Sequence, residues 1–177
     1  MKNVWYILRL TVTLLLICAL VAGVLAGVNA ITKDRIAAAK QQKTLDAIAQ
    51  VLPGVEGVEK MELTGNAGIV TEVYGSGDNY AVMVAPAGFG DKITLMVGVA
   101  GGEVTGVQVV SHAETPGLGA VAAADNAKGE AFRNQFVGAA GELAVGEDID
   151  SISGATITSK AVTDGVNAAL AYVENLG

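Results

Sequence analysis

From Leu10 to Thr32 the chain carries no charged residue. The run is mostly Leu, Val, Ala and Ile, and at about 1.5 Å per residue a helix over it reaches ~35 Å, enough to cross a bilayer. Such a segment has no polar face to show to water, so the remainder must build its core without it. A membrane anchor over residues 1–32 is the expected outcome. A cleaved signal peptide is the other reading, with Lys2 and Arg9 as its basic start and Val28-Asn29-Ala30 as a cleavage site. The run exceeds the usual apolar core of a signal peptide, which favours the anchor. The Gly23/Gly27 spacing suits close helix packing against a partner, or is incidental in a Gly- and Ala-rich stretch.

Charge divides the 177 residues in two. Residues 1–43 hold six basic residues against Asp34 alone, while residues 44–177 hold five basic against seventeen acidic. The acidic part repels nucleic acid, which is excluded as a partner. The basic flanks of the apolar run suit lipid headgroups. Cys18, the single cysteine, lies inside the run and excludes an intrachain disulfide or a cysteine cluster. His112 is the only histidine, so no His-based metal site is expected. The chain has no phosphate-binding Gly-x-x-x-x-Gly-Lys-Thr loop and no Gly-x-Ser-x-Gly elbow. Asp148 and Asp150 read as a solvated acidic run rather than a catalytic acid pair.

Beyond the apolar run, residues 33–53 read as a connecting helix, stopped by Pro53-Gly54. Strand-like segments follow at about 67–74, 79–86, 92–100 and 103–111. They are separated by Gly75-Ser76-Gly77-Asp78, by Pro86 to Gly90 and by Gly101-Gly102, which predicts antiparallel hairpins. Tyr80, Val82 and Val84 alternate with Ala81, Met83 and Ala85, two similar faces that predict a strand covered on both sides. Phe132 to Phe136 reads as a helical turn with its aromatics in the core. Apolar residues at 162, 166, 169, 170 and 173 predict a final helix over about 159–175. Residues 54–177 are therefore expected to form a single α+β domain, an antiparallel sheet with flanking helices.

Two short segments carry the chemistry. Asp150-Ser151-Ile152-Ser153-Gly154-Ala155-Thr156 puts small residues around one threonine hydroxyl, just ahead of the final helix. Thr158 or Ser159 is the expected N-cap. A phosphate there would meet backbone N–H groups and the positive end of a helix dipole. An ordinary turn and cap uses the same residue types. The second segment is Ser111-His112-Ala113-Glu114-Thr115-Pro116-Gly117-Leu118-Gly119. It suits close approach to a flat ring, because Gly removes the side-chain barrier, and equally a plain Pro-Gly turn.

Asp-x-x-Ser-Gly-Ala-Thr resembles the recognition motif of the bacterial flavin transferase, which attaches FMN through its phosphate to the last Thr or Ser. The Glu-Thr-Pro-Gly-Leu-Gly segment resembles the one that lines the flavin in the same family. Its members with one N-terminal apolar segment include the G-type flavoprotein of the Rnf electron-transport complex. The corresponding flavoprotein of the sodium-translocating NADH:quinone oxidoreductase is a longer relative.

The resemblance implies an FMN-binding domain with FMN phosphoester-linked to Thr156, and with Asp150, Ser153, Gly154, Ala155, Thr158 and Ser159 around the tether. It implies that His112, Glu114, Thr115, Gly117, Leu118 and Gly119 contact the ring; for His112 a purely structural role is the other reading. A Glu114 carboxylate facing the ring is expected to disfavour the reduced anionic flavin. The implied partners are other subunits of a membrane electron-transport complex, the flavin transferase and membrane lipid. The chain would relay electrons between ferredoxin and NAD and catalyse nothing alone. A flavoprotein of the quinone reductase and a redox-sensing membrane module are the competing readings. The implied location is the cytoplasmic membrane with the domain outside. A literal count of flanking basic residues favours the cytoplasmic side, although long domains translocate largely regardless of charge.

Overall fold

The computed structural model describes residues 2–65 and 67–176, with side chains from Trp5 onward. The Lys2 side chain, part of the basic start noted above, lies outside the described residues. The chain divides into two compact units, one ending at Gln42 and one beginning at Lys43.

The first unit consists of helix α1, which spans Lys2–Val51 and contributes its last residues to the second unit. Its N-terminal stretch is long and apolar enough to cross a membrane, with a mean hydropathy of 2.6 and no part of that window buried. The exposed Leu, Ile and Val side chains surround the helix on every side, which suits lipid and not water. Thr11 and Thr13 donate their hydroxyls to the carbonyls of Ile7 and Arg9, at 3.0 and 2.8 Å. These two hydroxyls are thereby satisfied inside the helix, as an apolar solvent demands.

The second unit is a five-stranded antiparallel meander in the order β1-β2-β3-β4-β5: Glu59–Met61, Val70–Ser76, Asn79–Val84, Thr94–Ala100 and Glu103–Ser111. Two hairpins are set by glycine. Gly77 (φ +61) opens the two-residue turn between Ser76 and Asn79, so β2 runs through Gly75 and Ser76, which the sequence assigns to a break. Gly101 and Gly102, at φ +57 and +85, form the turn between Ala100 and Glu103, the geometry that matches the strand twist.

Both faces of the sheet are covered, as the alternation in β3 predicts. Val82, Val84, Leu95, Val97 and Val99 face helix α3 (Thr156–Glu174), where Val162, Val166 and Ala169 meet them. Ala81, Met83 and Met96 lie against Ala47, Ile48, Val51 and Leu52 at the end of α1. That end sits in a glycine-floored notch. A Cβ on Gly98 would lie 2.4 Å from the Val51 carbonyl oxygen, and one on Gly106 would lie 3.1 Å from its Cα. The Thr105 hydroxyl donates to that carbonyl at 2.5 Å, satisfying one of the acceptors a helix end leaves free.

Between β5 and α3 run a 3-10 helix (Gly119–Ala123) and helix α2 (Ala127–Asn134). The Asn126 side chain caps α2 by accepting from the amides of Lys128 and Gly129. Phe132 and Phe136 pack edge to face, centroids 5.5 Å apart, in the core.

Candidate functional site

Gly154 is the hinge of the candidate site. Its φ of +75 falls in the left-handed region that glycine adopts readily. It closes a turn in which the Ala155 amide donates to the Ile152 carbonyl at 2.9 Å. The turn brings the chain into helical geometry earlier than the cap chemistry predicts. α3 begins at Thr156, with Ala155 in the N-cap position and no side chain capping the end. Thr158 and Ser159 are therefore not caps; they lie in the first turn, buried, with their hydroxyls already engaged. The Ser159 hydroxyl accepts from the Ile152 amide at 2.9 Å and donates to the Ala155 carbonyl at 3.1 Å, which pins the turn to the helix.

The first helical hydrogen bond runs from the Ser159 amide to the Ala155 carbonyl at 3.0 Å. The amides of Thr156, Ile157 and Thr158 precede it, at the positive end of a 19-residue helix with no acidic residue in its first turn. Thr156 is exposed at this position, as is Ser153 just before it. Asp150 is exposed too, and its backbone is fixed by Gln135. The Asp150 amide donates to Gln135 Oε1 at 2.7 Å and Gln135 Nε2 donates to the Asp150 carbonyl at 3.3 Å.

Beside Thr156 lies a cavity of about 340 Å³ lined by Phe89, Glu114, Thr115, Leu118, Gly119 and residues 154–158. The two motifs, with thirty residues between them, therefore line one cavity. Three large apolar side chains on its walls are open to solvent: Phe89 at 67%, Ile157 at 56% and Leu118 at 44% exposure. Two larger clefts, of about 730 and 600 Å³, lie against the later turns of α3 and contain no motif residue. Gly117 (φ +77) makes the turn that follows Pro116 and stands in open space.

Glu114 behaves differently from the rest of its segment. Only 6% exposed, it accepts hydrogen bonds from the amides of Phe89 (2.8 Å) and Gly90 (3.1 Å) on one oxygen and from the Thr158 hydroxyl on the other. Burial pushes its pKa up, but these hydrogen bonds hold it below the usual carboxylate range. His112 itself is exposed, and its Nδ1 accepts from the Glu114 amide at 3.2 Å. A carboxylate expected to meet a ring as a free charge is thus already engaged at both oxygens. Gly119, expected to clear space for the ring, has an inward reason. A Cβ there would fall 2.4 Å from both Glu114 Oε2 and Thr158 Oγ1.

Three contributors escape the motif reading. Phe89 is flanked by Gly88 and Gly90, and an aromatic held out between two glycines was the available signal. Ile157 falls off the apolar stripe of α3, which marks it as surface-facing. Buried Arg133 donates to the carbonyls of Ala122 (2.9 Å) and Ala124 (3.1 Å), fixing the 3-10 helix that follows the second motif. Its sequence context resembles that of any helical arginine and gave no signal. No group of three or more His, Cys, Asp or Glu side chains able to hold a metal ion occurs among the described residues.

Residues 88–171 match the family model for the FMN-binding domain, and residues 1–51 match the RnfG N-terminal region. The first match begins at the Gly88–Gly90 turn and takes in both motifs. The G subunit of the Na(+)-translocating ferredoxin:NAD(+) oxidoreductase complex of Acetobacterium woodii is 31% identical over 192 residues, covering 96% of this chain and 93% of the relative. The G subunit of the ion-translocating oxidoreductase complex of Methanosarcina acetivorans is 31% identical over 186 residues, 94% of each chain. The G subunit of the proton-translocating ferredoxin:NAD(+) oxidoreductase complex of Clostridium ljungdahlii is 44% identical over 102 residues, 53% of this chain and 52% of the relative.

Proposed function

We propose that this chain, which belongs to the RnfG family of flavoproteins from ion-translocating oxidoreductase complexes, relays electrons through an FMN tethered by a phosphoester to Thr156. In the complex, the relay would serve electron transfer between ferredoxin and NAD, the pair named for its relatives. The observation that carries the reading is the meeting of an exposed threonine, an uncapped helix start and an apolar-walled cavity. The cavity falls within the usual size range of small-molecule sites. FMN, when bound, supplies reversible one- and two-electron transfer.

The chain's own residues would do the rest. Thr156 Oγ would lose its proton and form the bond to phosphorus while the phosphoanhydride bond of a flavin dinucleotide donor breaks and its nucleoside monophosphate leaves, in a reaction run by an external flavin transferase. The amides of Thr156, Ile157 and Thr158 suit the phosphate oxygens, since helix starts favour anions. Phe89, Leu118 and Ile157 offer apolar surface to the ring and exclude water from it. Ser153, Gly154 and Ala155 keep the approach to Thr156 free of bulk. Buried Thr158 and Ser159 lose to Thr156 as attachment sites because their hydroxyls are engaged.

Membrane anchoring by the apolar part of α1, with the FMN domain on the extracytoplasmic side, completes the reading. A tether has a purpose there, because released FMN would diffuse away. Covalent attachment is tested by co-expressing the chain with a flavin transferase. Denaturing gels should fluoresce, and the intact mass should show one FMN phosphoryl addition that Thr156→Ala lacks. An adduct that persists in Thr156→Ala overturns the assignment.

A further inference from the structure

We propose that Glu114 is a positioning residue of the flavin cavity: its buried carboxylate ties the Phe89–Gly90 turn and the first turn of α3 to the segment that carries it. The inference rests on the reading of the cavity as the flavin site. It assigns Glu114 the task of setting the cavity's shape, in place of touching the ring as a charge.

The three tied segments are far apart in sequence. Phe89 and Gly90 lie in the loop between β3 and β4, Glu114 follows β5, and Thr158 lies in α3. The wall residue Phe89 gives its own amide to the carboxylate, and the tether residue Thr156 lies in the same helical turn as the Thr158 donor. The packing around the carboxylate leaves room for nothing larger than hydrogen. A Cβ on Gly88 would lie 2.4 Å from Glu114 Oε1, and one on Gly119 would lie 2.4 Å from Oε2. A Cβ on Gly90 would lie 2.1 Å from the Ala113 carbonyl oxygen. Two glycines from two loops therefore close in on one side chain, and a third closes on the backbone just before it. The described ion pairs join Lys60 to Glu72 and Arg133 to Asp125, so hydrogen bonds hold this carboxylate without a salt bridge. A buried carboxylate is costly unless its oxygens are satisfied, and here both are. Losing it would leave two amides and a hydroxyl unpaired at once.

The test uses the full chain in detergent, made with and without the transferase. In flavin-free Glu114→Ala, amide hydrogen exchange at Phe89, Gly90 and the first turn of α3 should quicken about tenfold or more, the worth of a lost charge-assisted bond. Amides of β3 and β4 should keep wild-type rates. Glu114→Gln, which retains one acceptor oxygen, should fall between the two. In flavin-loaded protein, Glu114→Ala should lower the fluorescence anisotropy of the flavin with attachment still complete. If Glu114→Ala does not fold, Thr158→Val removes a single donor and decides by faster exchange at the start of α3. Wild-type exchange in Thr158→Val and in every Glu114 variant that folds would overturn the proposal. So would a Glu114→Gln protein with a shifted flavin potential but wild-type exchange and anisotropy, since the carboxylate would then act on the ring as a charge. Wild-type protein that takes up no flavin would instead sink the flavin reading, and the flavin-free exchange would still judge the tie.

Discussion

The two glycines of the Pro-Gly-Leu-Gly segment illustrate how identical residues serve different ends. Gly117 stands in open space with φ +77, so Gly117→Ala costs only the strain of a left-handed residue, ~1–2 kcal/mol. Gly119→Ala drives a methyl into Glu114 and Thr158, an overpacking expected to cost about 1–3 kcal/mol. Denaturant titration gives both values, and flavin anisotropy separates them: only Gly119→Ala should loosen the ring. Equal anisotropy in both would deny Gly119 its inward role. The same carboxylate predicts an acid response. Its folded pKa lies below the ordinary 4.5 because hydrogen bonding outweighs burial. The stabilisation is therefore complete above the unfolded carboxyl's titration and is lost as pH falls through the folded value. Melting temperatures taken from pH 7 down to pH 3 should fall less steeply for Glu114→Gln than for wild type; parallel curves would show that Glu114 contributes nothing to acid lability. Sequence motifs made Thr156 and the Glu-Thr-Pro-Gly-Leu-Gly segment legible. They were silent on the direction each side chain takes, because inward and outward glycines are spelled alike.

At the scale of elements, alternation and Gly breaks mark four of the five strands, and the two similar faces of β3 foretell a sheet covered on both sides. β1 was not legible: its three residues, Glu59, Lys60 and Met61, are all exposed and carry no apolar pattern. α3 starts ahead of the position that cap chemistry predicts: Thr158 and Ser159 are better caps than Ala155, but tertiary demands on their hydroxyls prevail over local preference. The glycine-floored notch under α1 was equally invisible, since it joins residues about fifty positions apart. It yields its own prediction. Thr105→Val removes the only side-chain donor to the Val51 carbonyl among the described hydrogen bonds and should cost about 1 kcal/mol. Gly98→Ala should cost about 1–3 kcal/mol by pushing on the same carbonyl. Chemical denaturation of the two variants checks the order; a neutral Gly98→Ala would mean that the end of α1 is not seated as tightly as its contacts imply.

For the whole molecule, one uncharged run and one acidic domain describe two solvents. The apolar part of α1 exposes Leu, Ile and Val on all sides, and no other described helix is long and apolar enough to cross a membrane. The chain should remain with the membrane fraction through an alkaline wash, and protease added outside the cytoplasmic membrane should digest the domain. Release by the wash, or protection from the protease, would each remove one half of the proposed topology. The uncapped start of α3 bears on the molecule's life history. A helix left without a cap by its own sequence is an unfinished fold, and a phosphate joined to Thr156 would finish it. Maturation would then be a folding event as well as the loading of a cofactor. An anion at a helix start is worth about 1 kcal/mol, or ~3 °C in a domain of this size. The loaded protein should outlast the empty one on heating by about that margin, so that a cell short of flavin would hold its unloaded copies in the form it can most easily unfold and clear.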